Sequence, residues 1–314
     1  MFSSGIFARI LGLDTNRPTR MLLKLINIVT PVLIITLLGY VFAKKQKKAP
    51  DMEFTNYVNV HVFCPALIFS ALVAEPIHFQ SAWALILGGI LVIILPGVFL
   101  YFLRPSTMNR KAYLVTGMFR NTGNVGIPLA ILAYGTEQLG DIIILFVLSN
   151  SLHFSLGLFL LSGAGNRWLW LRNPNVWAAL LGLSLAPYQA YVPDFALTSI
   201  ELMGQITIPL MLFSLGVRIA QDQLKHVGFA FRINLLYLLT GALSLPFVFW
   251  LLPLSPDAMR LLALSAMLPP AVLNFLLCEH YNVAPKAVAN IVLLGNMMAV
   301  VVIPVVIWLS LTFI

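Results

Sequence analysis

The stretch Arg120-Asn121-Thr122-Gly123-Asn124-Val125-Gly126-Ile127-Pro128-Leu129 carries the most chemistry in the chain. A guanidinium binds a carboxylate through two parallel N–H···O bonds and stays charged in any surroundings. Asn121, Thr122 and Asn124 add amide and hydroxyl groups beside it. Gly123 and Gly126 remove side chains and Pro128 removes a backbone donor, so an interrupted helix is expected here. A cation beside opened backbone suits the binding of an anion rather than the making of bonds. Apolar residues flank the stretch, Ala112 to Phe119 before and Leu129 to Tyr134 after, and the whole is about one bilayer thick. Hydrocarbon satisfies no free N–H or C=O, so such a break must line a protein-walled cavity. The competing reading is a packed, kinked helix in which backbone carbonyls hold Arg120.

A second polar interruption lies at Met267-Leu268-Pro269-Pro270-Ala271-Val272-Leu273-Asn274, where adjacent prolines delete two donors. Half-helix N-termini near Pro128 and Asn274 would add partial positive charge. Asn150 reads as a ligand contact and Asn296 as an interhelical hydrogen-bonding residue. The candidate substrate-binding residues are therefore Arg120, Asn121, Thr122, Asn124, Asn150 and Asn274. Gly123, Gly126, Pro128, Pro269 and Pro270 shape the crossing. His61 and His153 lie inside apolar spans, where a histidine is ordinarily a packing residue. His153 and the interfacial Glu279 are the candidates for a proton relay. None of the 11 Asp and Glu falls at the centre of a span, where a cation–proton antiporter needs an acid. The site is built for an anion. No His-Glu-x-x-His, Cys-x-x-Cys, phosphate loop or Ser/His/Asp set occurs, so no metal, no cofactor and no enzyme activity are expected.

The elements that position these residues are membrane helices. The 314 residues are 60% hydrophobic and 10% charged, with a mean hydropathy of +0.93. That composition excludes a soluble domain, and apolar runs of this length exclude barrel strands. Ten spans are expected: 25–43, 54–73, 81–103, 112–135 (interrupted), 139–162, 174–192, 199–220, 228–252, 260–282 (interrupted) and 286–312. Residues 1–24 form an N-terminal extracytoplasmic segment, in which Met1 to Leu13 could make a short amphipathic surface helix. Residues 163–173 form a short cytoplasmic loop. The first span is followed by Lys44-Lys45-Gln46-Lys47-Lys48 and no small-residue cleavage site, so it is retained rather than a signal peptide. Cys64 and Cys278 read as buried small hydrophobes.

The formal net charge of +8 invites a nucleic-acid partner, but no basic domain exists to bind one. The basic residues instead orient the chain. Loops after spans 1, 3, 5, 7 and 9 hold most of them, including Lys44, Lys45, Arg110, Lys111, Arg172, Arg218 and Lys286. The other side holds Arg9, Arg17, Arg20, Lys24 and Arg260. The positive-inside rule then places both termini outside the cytoplasm.

The chain also repeats weakly. Pro31 and Gly39 correspond to Pro174 and Gly182; Pro65, Phe69 and Ser70 to Pro209, Phe213 and Ser214; Pro96 to Pro246; and Asn150 to Asn296. The offset stays near-constant, at about 143 to 150 residues. Residues 25–162 and 174–314 are thus expected to be two five-span repeats. Five is odd, so they are inverted, the arrangement of alternating-access carriers.

Asn121-Thr122, Gly126-Ile127-Pro128-Leu129 and Tyr134-Gly135 resemble the fourth-span motif of the auxin efflux carrier family. Asn173-Pro174-Asn175-Val176-Trp177 resembles the family's Asn-Pro-Asn motif opening span 6, and Phe213-Ser214-Leu215-Gly216 its span 7. Leu268-Pro269, Tyr281-Asn282-Val283 and Pro285 are similar to span 9 and the turn after it. The likeness covers nearly all of residues 25–314. It implies a ten-span all-α fold with crossed broken helices in spans 4 and 9. It further implies a scaffold of spans 1, 2, 6 and 7, a moving bundle of spans 3–5 and 8–10, and a homodimer. Plant members export auxin and carry a long loop between spans 5 and 6, which this chain lacks. Bacterial relatives are linked to malate, malonate and similar acids. Arg120 stands where plant members are generally uncharged, and a second substrate carboxylate would explain an extra cation.

The resulting expectation is a secondary transporter of small organic anions working by elevator-like alternating access. The alternatives are a carrier of hydrophobic monocarboxylates with the same fold, and a membrane ligand sensor that transports nothing.

Overall fold

A computed structural model describes residues 17–46, 52–74, 79–103, 108–162, 169–221 and 226–314. The surface helix expected at Met1 to Leu13 lies outside them. The described residues are helical, with no strand and one isolated β-bridge, Arg120 to Pro270.

The helices are α1 (Arg17–Lys45), α2 (Glu53–Val58, running through a π-helical stretch Asn59–Phe63 into Cys64–Ala74), α3 (Phe79–Phe102), α4 (Arg110–Met118) and α5 (Ile127–Tyr134). They continue with α6 (Leu139–Leu152, then π-helical His153–Gly157 and Leu158–Ser162), α7 (Pro174–Leu185) and α8 (Asp194–Gln221). The last four are α9 (Val227–Leu251), α10 (Pro256–Met267), α11 (Val272–His280) and α12 (Pro285–Phe313). Six segments are long and apolar enough to cross a membrane: Phe54–Ala74, Ala82–Phe102, Thr136–Ser162, Asp194–Gln221, Val227–Leu251 and Pro285–Phe313. The remaining expected spans fall on α1, on the short α7 with a 3₁₀ turn after it, and on the pairs α4–α5 and α10–α11.

Local sequence explains where the shorter helices start. The Asn109 Oδ1 accepts from the N–H groups of Lys111 and Ala112, at 3.0 and 3.4 Å. Asn173 caps α7 through the Asn175 N–H, and Ser255 caps α10 through the Ala258 N–H. In both of those helices the next residue is proline, which suits a first turn because its missing N–H would have had no partner. Proline also explains two of the π-helical stretches. Asn59–Phe63 ends just before Cys64-Pro65, and Thr122–Gly126 just before Ile127-Pro128. The wider turn relieves the carbonyl that the proline ring would strike and leave unpaired.

The helices pack in two groups. In one, α8 lies along α1 and α2, and α7 packs on α2. A methyl group on Gly216 would overlap the Thr36 carbonyl, and one on Gly39 the Phe213 carbonyl. A glycine on each helix thus lets the backbones of α1 and α8 touch, the small-residue packing that membrane helices use. In the other group, α9 packs on α3, α10 and α12, and α3 on α4 and α6. The interrupted segments lie in this second group, and the π-helical stretch Thr122–Gly126 reaches across to α8.

Candidate functional site

Chain at 119–121 and at 268–271 runs antiparallel rather than helical. α4 ends at Met118, and Phe119 is extended, at φ −97° and ψ 110°. Leu268 and Ala271 are extended as well. The Asn121 N–H donates to the Pro269 carbonyl at 2.8 Å, and the Ala271 N–H to the Phe119 carbonyl at 3.0 Å. Each segment thereby satisfies backbone groups that the other leaves open, groups that would cost about 1–3 kcal/mol each if buried unpaired. The interruption falls at 119–121 and not at Pro128, which sits in the first turn of α5.

Three asparagines secure the pair. The Asn274 Nδ2 donates to the Phe119 carbonyl at 2.8 Å. The Asn121 Nδ2 donates to the Asn296 Oδ1 at 2.9 Å. Asn296 in turn donates to the carbonyls of Pro270 and Val292, at 3.2 and 2.8 Å. All three are buried. Asn296 is therefore an interhelical hydrogen-bonding residue, and Asn274 holds the crossing backbone.

Arg120 is 5% exposed. Its Nη2 donates to the Tyr237 carbonyl on α9 at 2.6 Å, and its Nη1 reaches the Leu268 carbonyl at 3.5 Å. The guanidinium also lies 5.8 Å from the centre of the Tyr237 ring. Tyr237 is fully buried, and its hydroxyl donates to the Tyr113 carbonyl at 2.8 Å. The guanidinium is thus engaged by carbonyls behind the crossing.

A cavity of about 770 Å³ lies in front of it. Its floor is Arg120, Asn121, Thr122, Gly123 and Asn124 together with Ala271, Val272 and Leu273. Its far end is marked by Met52, Arg172, Gln221, His280 and Tyr281, all at helix ends or in loops. Arg120, Arg172 and Arg218 line it, and among the described residues none that lines it is Asp or Glu. α11 begins at the floor, where its first N–H groups have no partner within the helix. Four buried side-chain atoms of lining residues have no hydrogen-bond partner: Asn59 Oδ1, His153 Nε2, Asn175 Oδ1 and Ser214 Oγ.

Asn121, Thr122, Asn124, Asn150, Gly123 and His153 all line this cavity, as does Arg120. Asn274, Gly126, Pro128, Pro269 and Pro270 are buried outside it. Glu279 is exposed and does not line it. The opposite wall, with Asn59, Asn175, Ser214 and Arg218, was not anticipated. Its signals stood within the Asn-Pro-Asn and Phe-Ser-Leu-Gly motifs, where Asn175 and Ser214 are the polar members.

Long apolar helices around a cation- and amide-lined cavity, floored by paired non-helical backbone, define a membrane transporter. The chain belongs to the membrane transport protein family, that of the auxin efflux carriers, which matches residues 25–170 and 166–307. It is 23% identical over 304 residues to a Rhizobium meliloti (strain 1021) protein named "Putative malonate transporter", covering 88% of this chain and 93% of that one. It is 28% identical over 139 residues to auxin efflux carrier component 3 of Arabidopsis thaliana, covering 41% of this chain and 21% of that one. An uncharacterized transporter of Methanothermobacter thermautotrophicus is 25% identical over 294 residues, covering 88% and 95%.

Proposed function

We propose that the protein is a secondary carrier of small carboxylates, of the malonate or malate kind, working by elevator-like alternating access. The observation that carries this reading is a cavity lined by three arginines and, among the described residues, by no acid. Thr122 and Asn124 offer donors to the carboxylate, Asn121 and Asn150 offer the second amide hydrogen that their bonds to Asn296 and to the Phe146 carbonyl leave, and the start of α11 adds the partial positive charge of a helix N-terminus. Arg120 contributes charge from behind the crossing. The relative named for malonate spans nearly its whole length against this chain, which favours a dicarboxylate.

In this reading α4–α5 and α10–α11 are the fourth and ninth of ten spans, broken and crossed, in two inverted five-span repeats. The group α1, α2, α7 and α8 is the scaffold, the other helices are the moving bundle, and two copies form a homodimer. The protein sits in the bacterial inner membrane with both termini outside. The cavity then opens to the cytoplasm, because Met52, Arg172, Gln221 and His280 stand at that end. A cysteine placed at Gln46 is expected to react with an impermeant thiol reagent only from the cytoplasmic side; labelling from outside would invert the topology.

Counterflow tests the function. Liposomes holding purified protein and preloaded with unlabelled malonate are expected to accumulate external labelled malonate transiently. Specific malonate binding without any counterflow would make the protein a sensor. A second reading, a carrier of aromatic monocarboxylates, draws on the Phe146 and Phe154 side of the cavity and on the auxin-carrier likeness. Competition between malonate and indole acetate for the site separates the two.

A further inference from the structure

His153 is a titratable side chain in the cavity wall that substrate recognition, as argued above, does not use. It is 3% exposed and begins the π-helical stretch His153–Gly157. Its ring lies on Phe119 with centroids 4.2 Å apart and planes 4° from parallel. Gly157 makes room for that stack: a methyl group there would stand 2.8 Å from His153 Cδ2 and 3.0 Å from Phe119 Cε2. The Asn274 amide adjoins the imidazole. The His153 Nε2 and the Asn274 Oδ1 are both buried with no partner at hydrogen-bonding geometry. Nε2 is closed off from any partner, so with the hydrogen on Nε2 it is Nδ1 that is left to accept a further proton.

Phe119 ties this ring to the crossing. Its face carries the imidazole, and its carbonyl accepts from both Asn274 and Ala271. A charge on His153 therefore arises one residue's width from the floor on which an anion would rest. The ionisable groups around it are mostly cationic. The turn Leu169–Arg172 packs against the π-helical stretch and carries Arg172. Arg120, Arg218, His61, His280 and Tyr281 line the same cavity, as does the Cys64 thiol. On α4, Lys111 is held by the Leu161 carbonyl at 3.0 Å. On α11, Cys278 is buried and Glu279 is exposed outside the cavity.

We propose that His153 is a proton-binding site that couples proton to anion: the imidazole takes up one proton when a carboxylate occupies the cavity and releases it when the carboxylate leaves. The proposal rests on the carboxylate-carrier reading. In the empty cavity, a positive charge on the buried His153 has no acid to pair with among the described residues, in a wall that carries three arginines. A bound carboxylate reverses that balance in surroundings where water screens little. The proton comes from water, bonds to Nδ1, and returns to water on the side of release; no bond in the substrate changes. Coupling also serves transport. Each elementary charge moved across the membrane potential carries an energetic cost, and a proton carried with the anion cancels one of them.

The test is malonate binding to the purified protein over pH values at which malonate stays fully ionised, with calorimetry in buffers of different ionisation enthalpy to count protons. Near one proton is expected to be taken up per malonate, and affinity to fall about tenfold for each unit rise in pH, the limiting slope for one linked proton. His153→Gln is expected to bind more weakly, with a flat pH profile and no proton uptake. Proton uptake near zero in the unsubstituted protein overturns the proposal without any variant. A His153→Gln protein that keeps the full slope also overturns it, by assigning the proton to another group such as His61 or His280. Failure of both malonate and indole acetate to bind the unsubstituted protein defeats the carrier reading, and the coupling with it. Binding without proton uptake defeats the coupling alone.

Discussion

Arg120→Gln is expected to lower the melting temperature of the detergent-solubilised protein sharply, by the equivalent of about 3 kcal/mol. Hydrogen bonds to charged groups contribute about 1.5–3 kcal/mol each, and the guanidinium makes a short one to Tyr237 and a longer one to Leu268. Those carbonyls belong to different elements, α9 and the non-helical segment at 268–271. Their loss therefore loosens the join between them rather than one helix. The Gly241 position shows how close the approach is: a methyl group there would overlap the Ala266 carbonyl and stand 3.5 Å from Arg120 Nη2. Glutamine is too short to reach both carbonyls and carries no charge. Arg120→Lys restores the charge but not the fork, so partial recovery is expected. A thermal melt of the Gln variant matching the unsubstituted protein would remove Arg120 from the framework and return it to direct ligation of the substrate.

The sequence left two readings of Arg120 open, a guanidinium aimed at a carboxylate and one held by backbone carbonyls; its hydrogen bonds run to carbonyls, and which ones the sequence hides. The partners of Arg120 are main-chain carbonyls, which every residue has, and Tyr237 is 117 positions away on a helix with no unusual pattern. What was legible was whatever changes backbone chemistry. Pro269-Pro270 and the Gly-Asn-Val-Gly stretch marked the two places where chain departs from regular α-helix. Even there, Pro128 misled about position, because proline in a first helical turn ends nothing; the helix had already stopped at Met118. Asn59, outside any such motif, was illegible as a cavity residue for a related reason. A single amide or hydroxyl in an apolar span looks the same whether it bonds to a neighbouring helix, as Asn234 does to the Ile291 carbonyl, or faces a cavity. The acid census was legible because it depends on composition by position. Among the described residues, the cavity wall carries no acid.

That absence supplies the sharpest functional test. Asn124→Asp changes an amide to a carboxylate of nearly the same size and shape on the floor of the cavity. Asn124 is partly exposed there, so the new charge can be accommodated and the fold is expected to survive. A carboxylate substrate would then meet a like charge where it now meets a donor. Like-charge juxtaposition in a binding site costs several kcal/mol. An affinity loss of at least about 100-fold is expected, since about 1.4 kcal/mol corresponds to a factor of ten. Asn124→Ala removes the donor without adding charge, so it is expected to lose only about tenfold, and the gap between the two variants isolates the charge term from the hydrogen bond. Equal losses in both would mean that the substrate is not negatively charged at this position. Unchanged malonate affinity in a folded Asn124→Asp protein would move the anion away from the crossing, toward Arg172 and Arg218 at the outer end of the cavity.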